Sequence, residues 1–133
     1  MKIKTVTILA CILLCACNTM NTRKMIDNLD AAIKVYDSAL RWGNMILAAS
    51  YHVSRQNVQQ EVDIEYAEKF RVTGFDILEK NVDVDAGSAI IKIQVGYYNE
   101  QYGTLQTIRQ DQIWWLDEEN KRWYIESPFP EFK

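Results

Sequence analysis

The chain has 133 residues, of which 48% are hydrophobic and 25% are charged, and its formal net charge is −3. This length suits one domain that buries a core of its own. The acidic balance and the lack of a basic stripe argue against a nucleic-acid-binding protein, because phosphate backbones are held by clustered lysine and arginine.

The N-terminal segment has the composition of an export signal. Lys2 and Lys4 precede an apolar run from Val6 to Leu14, and this order is typical of a secretory signal peptide. The alternative is a membrane-spanning helix, which needs about 20 apolar residues to cross a hydrocarbon layer of roughly 30 Å. The run is shorter than that, and polar residues follow it at once, so the pattern favours the signal peptide.

Leu14-Cys15-Ala16-Cys17 resembles the lipobox of bacterial lipoproteins. The resemblance implies that signal peptidase II cuts between Ala16 and Cys17, that the Cys17 thiol carries a diacylglycerol, and that the new amine is acylated, typically with palmitate. Asn18 follows the lipidated cysteine in place of the Asp that tends to retain lipoproteins in the inner membrane of enteric-type bacteria, so the resemblance implies the outer membrane. The domain is expected to face the periplasm, and exposure on the cell surface is the alternative that the sequence leaves open. The membrane would then be contacted through the lipid anchor.

This processing divides the chain into three parts. They are a signal peptide at 1–16, a lipidated cysteine with a short tether at 17–21, and a folded domain at 22–133. The tether spans only about 14 Å when extended. Without Lys2 and Lys4 the balance becomes 13 basic against 18 acidic residues, so attachment to an anionic membrane has to come from the lipid.

No metal site and no cofactor are expected in the domain. The three cysteines are Cys11, Cys15 and Cys17, so none lies beyond the lipobox, and His52 is the single histidine. Disulfides, thiolate nucleophiles and the usual cysteine or histidine zinc sites are therefore excluded. The sequence also contains no Gly-x-Ser-x-Gly motif and no glycine-rich phosphate loop.

A long amphipathic helix is predicted from Thr22, its expected N-cap. Gly43 suits the left-handed residue that ends a helix, and Asn44 can cap a short second helix that starts at Met45. A third helix is predicted over Val58–Glu68, although this stretch also alternates like a strand. The first helix is supported by apolar residues at spacings of three and four: Met25, Ile26, Leu29, Ala32, Ile33, Tyr36, Ala39 and Leu40.

The second half of the chain changes to the alternation typical of strands. Strands are predicted at 70–79, 89–98, 104–116 and 122–126, and Gly74 is the expected site of a β-bulge. Helices followed by an antiparallel meander predict an α+β fold. In that fold the N-terminal helices pack on a curved antiparallel sheet of about four strands.

This arrangement resembles the NTF2-like superfamily, also called the cystatin-like cone. Tyr36–Asn44 is similar to the step between its first helices, Glu65–Ile77 to its entry into the sheet, and Trp114–Phe129 to its closing hairpin, with Trp123 beneath the cone. The resemblance covers about Asp27–Phe132. It rests on element order and residue type, so it implies a fold and not an activity.

A candidate ligand pocket follows from the cone. Arg109 and Asp111 are two apart on one strand and share a face. If that face points at the helix, they lie at the floor of a pocket lined by Tyr36 and by Tyr97 or Tyr98. If it points outward, they form a solvated pair of little energetic worth, and the frequency of charged residues on exposed strand faces favours this alternative.

Pairs of adjacent apolar residues predict large apolar side chains on both faces of the sheet. Ile90-Ile91, Tyr97-Tyr98 and Trp114-Trp115 must each place one side chain on either face. Apolar side chains on the far face indicate a second subunit, a protein partner or the bilayer. The alternative is scattered surface aromatics, which are common in soluble domains.

The leading functional hypothesis is a non-catalytic envelope module that binds a protein partner or dimerises through the sheet face. The alternative is a small-ligand-binding protein that uses the cone between helix and sheet. An enzyme with Asp111 or His52 as a base is the third hypothesis, and for His52 a structural role near a helix end is favoured. No residue set demands one particular chemistry.

Overall fold

The computed structural model describes the backbone of residues 2–133 and the side chains of residues 21–133. The predicted signal peptide, its cleavage site at Ala16 and Cys17, and the start of the tether lie outside the described side chains. Among the described residues, no helix has both the length and the hydropathy needed to cross a membrane. The elements are α1 (Lys2–Arg41), α2 (Met45–Ser50), α3 (Ile64–Ala67), β1 (Phe70–Asp83), β2 (Ser88–Asn99), β3 (Leu105–Asp117) and β4 (Arg122–Ile125).

The turn between α1 and α2 forms as the sequence predicts. Gly43 adopts a positive φ of 74°, a conformation that side chains disfavour, and this lets the chain leave α1. Asn44 then caps α2, its side chain accepting a hydrogen bond from the Leu47 amide at 3.1 Å. The predicted N-cap at Thr22 is wrong, because α1 passes through this residue.

The third helix is much shorter than predicted. Only Ile64–Ala67 is helical, with Asp63 as its N-cap accepting from the Tyr66 amide at 3.0 Å. The preceding residues from Val58 form loop structure. In this stretch the acidic and apolar residues fit the helical period and the strand period equally well. Tertiary contacts therefore decide the conformation of the backbone there.

The four strands form one antiparallel sheet in the order β1-β2-β3-β4. The pairing of β1 with β2 shifts register between Val72 and Gly74, which confirms the bulge, and again between Ile77 and Glu79. A bulge raises the local twist of a sheet and changes the face to which the following side chains point. A helix packed on a four-stranded antiparallel sheet confirms the α+β class.

The core lies between α1 and one face of the sheet, which we call the inward face. Alternate residues of β2 and β3 are buried there, while their neighbours occupy the opposite, outward face. Burial of these apolar side chains is the main source of stability. The core residues with the lowest exposure include Leu29, Tyr36 and Leu40 of α1 and Ile91, Ile93, Trp114 and Trp123 of the sheet.

We expect Trp123→Ala to destabilise the domain by about 3–5 kcal/mol, because it leaves a large cavity in the core. Trp123 is 1% exposed, and its indole Nε1 has no hydrogen-bond partner among the described residues, so the loss comes from packing. Trp42→Ala is the matched control, since Trp42 is 86% exposed and should lose less than about 1 kcal/mol. Urea unfolding measures both, and equal losses would contradict the placement of Trp123.

Candidate functional site

The five residues of the predicted pocket lie on both sides of the sheet. Tyr36 and Tyr97 are buried on the inward face, at 0% and 2% exposure. Tyr98, Arg109 and Asp111 lie on the outward face, where Arg109 and Asp111 are exposed. The Arg109 Nε donates to Gln94 Oε1 at 2.9 Å, across the β2–β3 pairing. The structure therefore does not bring the five residues into one pocket, and it places Arg109 and Asp111 in solvent.

His52 is fully buried, although it lies just after the end of α2. Its Nδ1 lies 2.9 Å from the backbone oxygen of Ser127, and its Nε2 lies 2.9 Å from the Tyr36 hydroxyl. A carbonyl oxygen can only accept, so these partners assign the proton to Nδ1. The unprotonated Nε2 then accepts a hydrogen bond from Tyr36.

Burial favours the neutral forms of both rings. It lowers the pKa of His52 from 6.5 to about 4, against the opposing effect of the Ser127 carbonyl. It also raises the pKa of the Tyr36 hydroxyl, with a smaller opposing effect from the Gln112 side chain. A neutral imidazole beside a neutral phenol is the state that a low-dielectric interior favours.

Two glutamines of β3 extend this polar cluster on the inward face. The Oε1 of Gln112 accepts from the Trp114 indole at 3.1 Å, and the Nε2 of Gln110 donates to the Pro128 carbonyl at 2.7 Å. The opposite ends of these amides, Gln112 Nε2 and Gln110 Oε1, have no partner among the described residues. The alternation of residues along β3 could predict that Gln110 and Gln112 lie on the inward face. Only the tertiary structure shows which groups they contact there.

The C-terminal segment, residues 127–133, covers the end of the inward face. Phe132 is 4% exposed, with its ring centroid 5.5 Å from that of Phe70 and 5.0 Å from that of Tyr97. Phe129 lies against His52, with ring centroids 5.1 Å apart. These two side chains therefore pack against the aromatic residues at this end of the inward face.

The Tyr36–His52 pair is therefore sealed from solvent. The Tyr36 ring lies within about 6 Å of three other aromatic rings, those of Tyr51, Phe75 and Trp114. A general base has to come within hydrogen-bonding reach of the proton that it removes. In this arrangement the pair can hold the core together, but it offers no approach to a substrate.

Two of the open grooves along α1 differ in their lining residues. One of about 600 Å³ lies between α1 and β1 and is lined by four carboxylates: Asp27, Asp30, Asp37 and Asp76. The other, of about 570 Å³, lies on the side of α1 away from the sheet and is lined by residues of α1 and α2. Trp42 borders this second groove with 86% of its surface exposed. The sequence could have indicated that Trp42 lies away from the core. It comes six residues after Tyr36 and therefore falls on a different side of a helix with 3.6 residues per turn.

The outward face of the sheet carries a small apolar patch formed by Ile90 and Ile113, which we call the outward patch. These residues pair directly across β2 and β3 and are 52% and 39% exposed. Trp115 also lies on this side, but it is only 6% exposed, with its ring 5.4 Å from that of Tyr124 and its Nε1 donating to the Val53 carbonyl at 2.8 Å. The predicted apolar outer face is thus reduced to a few exposed residues.

No cluster of three or more histidine, cysteine, aspartate or glutamate side chains within the described residues could hold a metal ion. No protein-family model matches the chain, and neither a curated protein nor a solved structure is significantly similar to it. The functional argument therefore rests on the geometry of the molecule.

We expect the stability of the protein to fall by about 3 kcal/mol between pH 6.5 and pH 4, because His52 takes up a proton far more readily when the chain unfolds. The unfolded histidine titrates near 6.5 and the folded one at about 4. This contribution is complete above pH 6.5, decreases as the pH falls through that window, and levels off below 4.

Urea unfolding across this pH range measures the effect, and the NMR signal of the single histidine reports its pKa directly. His52→Gln is the control, because it removes the titrating group and should flatten the slope between pH 6.5 and 4. If His52→Gln keeps the full pH dependence of the unfolding free energy, carboxylates and not His52 cause that dependence. An NMR pKa near 6.5 would equally contradict the assignment.

Proposed function

We propose that the protein is a lipid-anchored component of the bacterial cell envelope, attached through Cys17 to the outer membrane and facing the periplasm. The lipobox-like Leu14-Cys15-Ala16-Cys17 supports the anchor. The domain acts without catalysis and binds another protein chain, or a second copy of itself, through the outward face of the sheet.

The filled interior is the observation that carries this proposal. The inward face is occupied by α1 and by the C-terminal segment, and Tyr36 and His52 are both 0% exposed. A small-molecule site is normally a concave cavity with a few polar groups pointing into it. Here His52 hydrogen-bonds to Tyr36 and to the Ser127 carbonyl and neither ring is exposed, which favours a functional surface on the outside.

The outward face supplies what a binding surface needs. The outward patch, Ile90 and Ile113, adjoins a polar strip that includes Arg109 and Asp111 on β3. An apolar centre with a polar rim is the usual anatomy of a protein interface. A patch of two isoleucines is small, so it suits a transient partner or one contribution to a larger contact.

We further infer that the domain is a reduced NTF2-like cone. The order of one long helix, short helices and a four-stranded meander supports this assignment, as do the two bulges in β1. Trp123 is buried, as in the closing hairpin of that superfamily.

We expect Cys17→Ser to release the protein from the membrane fraction, because the side chain that carries the diacylglycerol is lost and tight attachment needs two or more acyl chains. Fractionation of host cells after a high-salt wash measures this, with Cys15→Ser as the matched control that keeps the lipidated position. A Cys17→Ser protein that remains in the washed membranes would contradict the anchor.

We expect a photo-crosslinking amino acid at position 113 to form adducts in intact host cells, because Ile113 lies at the centre of the proposed contact. The same amino acid at position 66 is the control, since Tyr66 is comparably exposed at 44% but packs against Phe70 on the inward side. An adduct of twice the chain mass identifies a second copy. Absence of adducts from position 113, or equal yields from both positions, would contradict the proposed surface.

A further inference from the structure

Charge is segregated between the two sides of α1. The groove that faces β1 is lined by Asp27, Asp30, Asp37 and Asp76, with Lys34 as its single cation. The groove on the side away from the sheet is lined by no carboxylate at all and also contains Lys34. In a domain with an excess of acidic residues, this second groove is a surface without negative charge.

The same groove, along α1 and the turn that follows it, exposes apolar side chains, which we call the helix stripe: Ala31, Val35 and Trp42. Val35 and Trp42 are 43% and 86% exposed, and Ala31 is exposed as well. Tryptophan, aliphatic residues and flanking lysines are the composition of helices that lie in the plane of a membrane interface. Lysine places its ammonium group at the headgroups while its stem covers apolar surface.

The position of the proposed anchor indicates that the membrane is the surface that covers the helix stripe. Cys17 precedes the described side chains by only a few residues, so the N-terminal end of the domain is held at the bilayer. Trp42 lies about 30 Å further along α1 at 1.5 Å per residue. Trp42 can therefore reach the bilayer when α1 lies along the membrane plane, and the outward face of the sheet then points away from it.

We propose that the helix stripe docks on the bilayer surface beside the lipid anchor, with Trp42 at the level of the headgroups. This proposal rests on the proposed lipid attachment at Cys17. A second copy of the chain fits the stripe less well, because the lining of this groove has one lysine and no carboxylate, so a two-fold contact would place like charges together. An anionic lipid surface supplies the missing negative charge and repels the acidic groove on the other side of α1.

Tryptophan fluorescence tests the docking, because the other three tryptophans, Trp114, Trp115 and Trp123, are at most 6% exposed. The lipidated mature protein is reconstituted in vesicles of phosphatidylcholine and phosphatidylglycerol, with or without bromine on the acyl chains. Bromine in the bilayer should quench the Trp42 contribution by about half or more, as for an indole at the interface. That contribution is obtained as the difference between the wild type and Trp42→Phe.

Leu105→Trp in the Trp42→Phe background is the matched control. Leu105 is 72% exposed and lies on the outward face of the sheet, opposite the side on which α1 packs. Its indole should be quenched by acrylamide in the water and not by brominated lipid. Lys34→Glu should weaken the quenching of Trp42 in anionic vesicles while leaving the protein attached.

The outcomes separate the docking from the anchoring. Mass spectrometry of the purified protein shows whether lipid is attached, and a chain without lipid overturns both proposals. A lipidated chain whose Trp42 is quenched by acrylamide and not by brominated lipid overturns the docking and leaves the anchor intact. A Trp42 that is shielded from both quenchers is covered by protein, which also overturns the docking.

Discussion

The buried hydrogen bonds of His52 join three parts of the chain that are far apart in sequence. Tyr36 comes from α1, His52 follows α2, and Ser127 follows β4. Because the ring is buried and both nitrogens are used, the position of the helix relative to the sheet and the path of the C-terminal segment are set together. Losing either partner would leave a buried polar group unpaired, which is costly in a low-dielectric interior.

The hydrogen bonds of His52 explain why the buried Tyr36–His52 pair is closed to a ligand. Once Ser127 is held by His52, Phe129 and Phe132 are placed over the inward face, against His52 and Phe70. Pro128 and Pro130 restrict the backbone between them, since proline limits φ and disfavours helical residues before it. The segment is therefore a conformationally restricted length of chain that packs its own aromatic rings against the inward face of the sheet.

The local signals of the sequence predicted most of the elements and few of the contacts. Gly43 and Asn44 act through their own backbone neighbours, and the strands follow an alternation of period two, so both could be read from the chain. His52, by contrast, shows no periodic signal, and its burial depends on Ser127, 75 residues later. For Arg109 the alternating pattern defined two faces without saying which one meets the helix, and only the usual exposure of charged strand residues favoured the outward face on which it lies.

With the interior closed, the two outer surfaces remain, and they differ in a way that suits an anchored protein. The stripe on α1 is apolar with a cation and without carboxylates, whereas the outward sheet face mixes an isoleucine pair with charged residues of both signs. The two lie on opposite sides of the core, since α1 packs on the inward face. Under the proposed lipid attachment, a domain held by its N-terminal end would rest on one surface and present the other to the periplasm, so the proposed orientation and partner binding would both follow from the packing of α1 on the sheet.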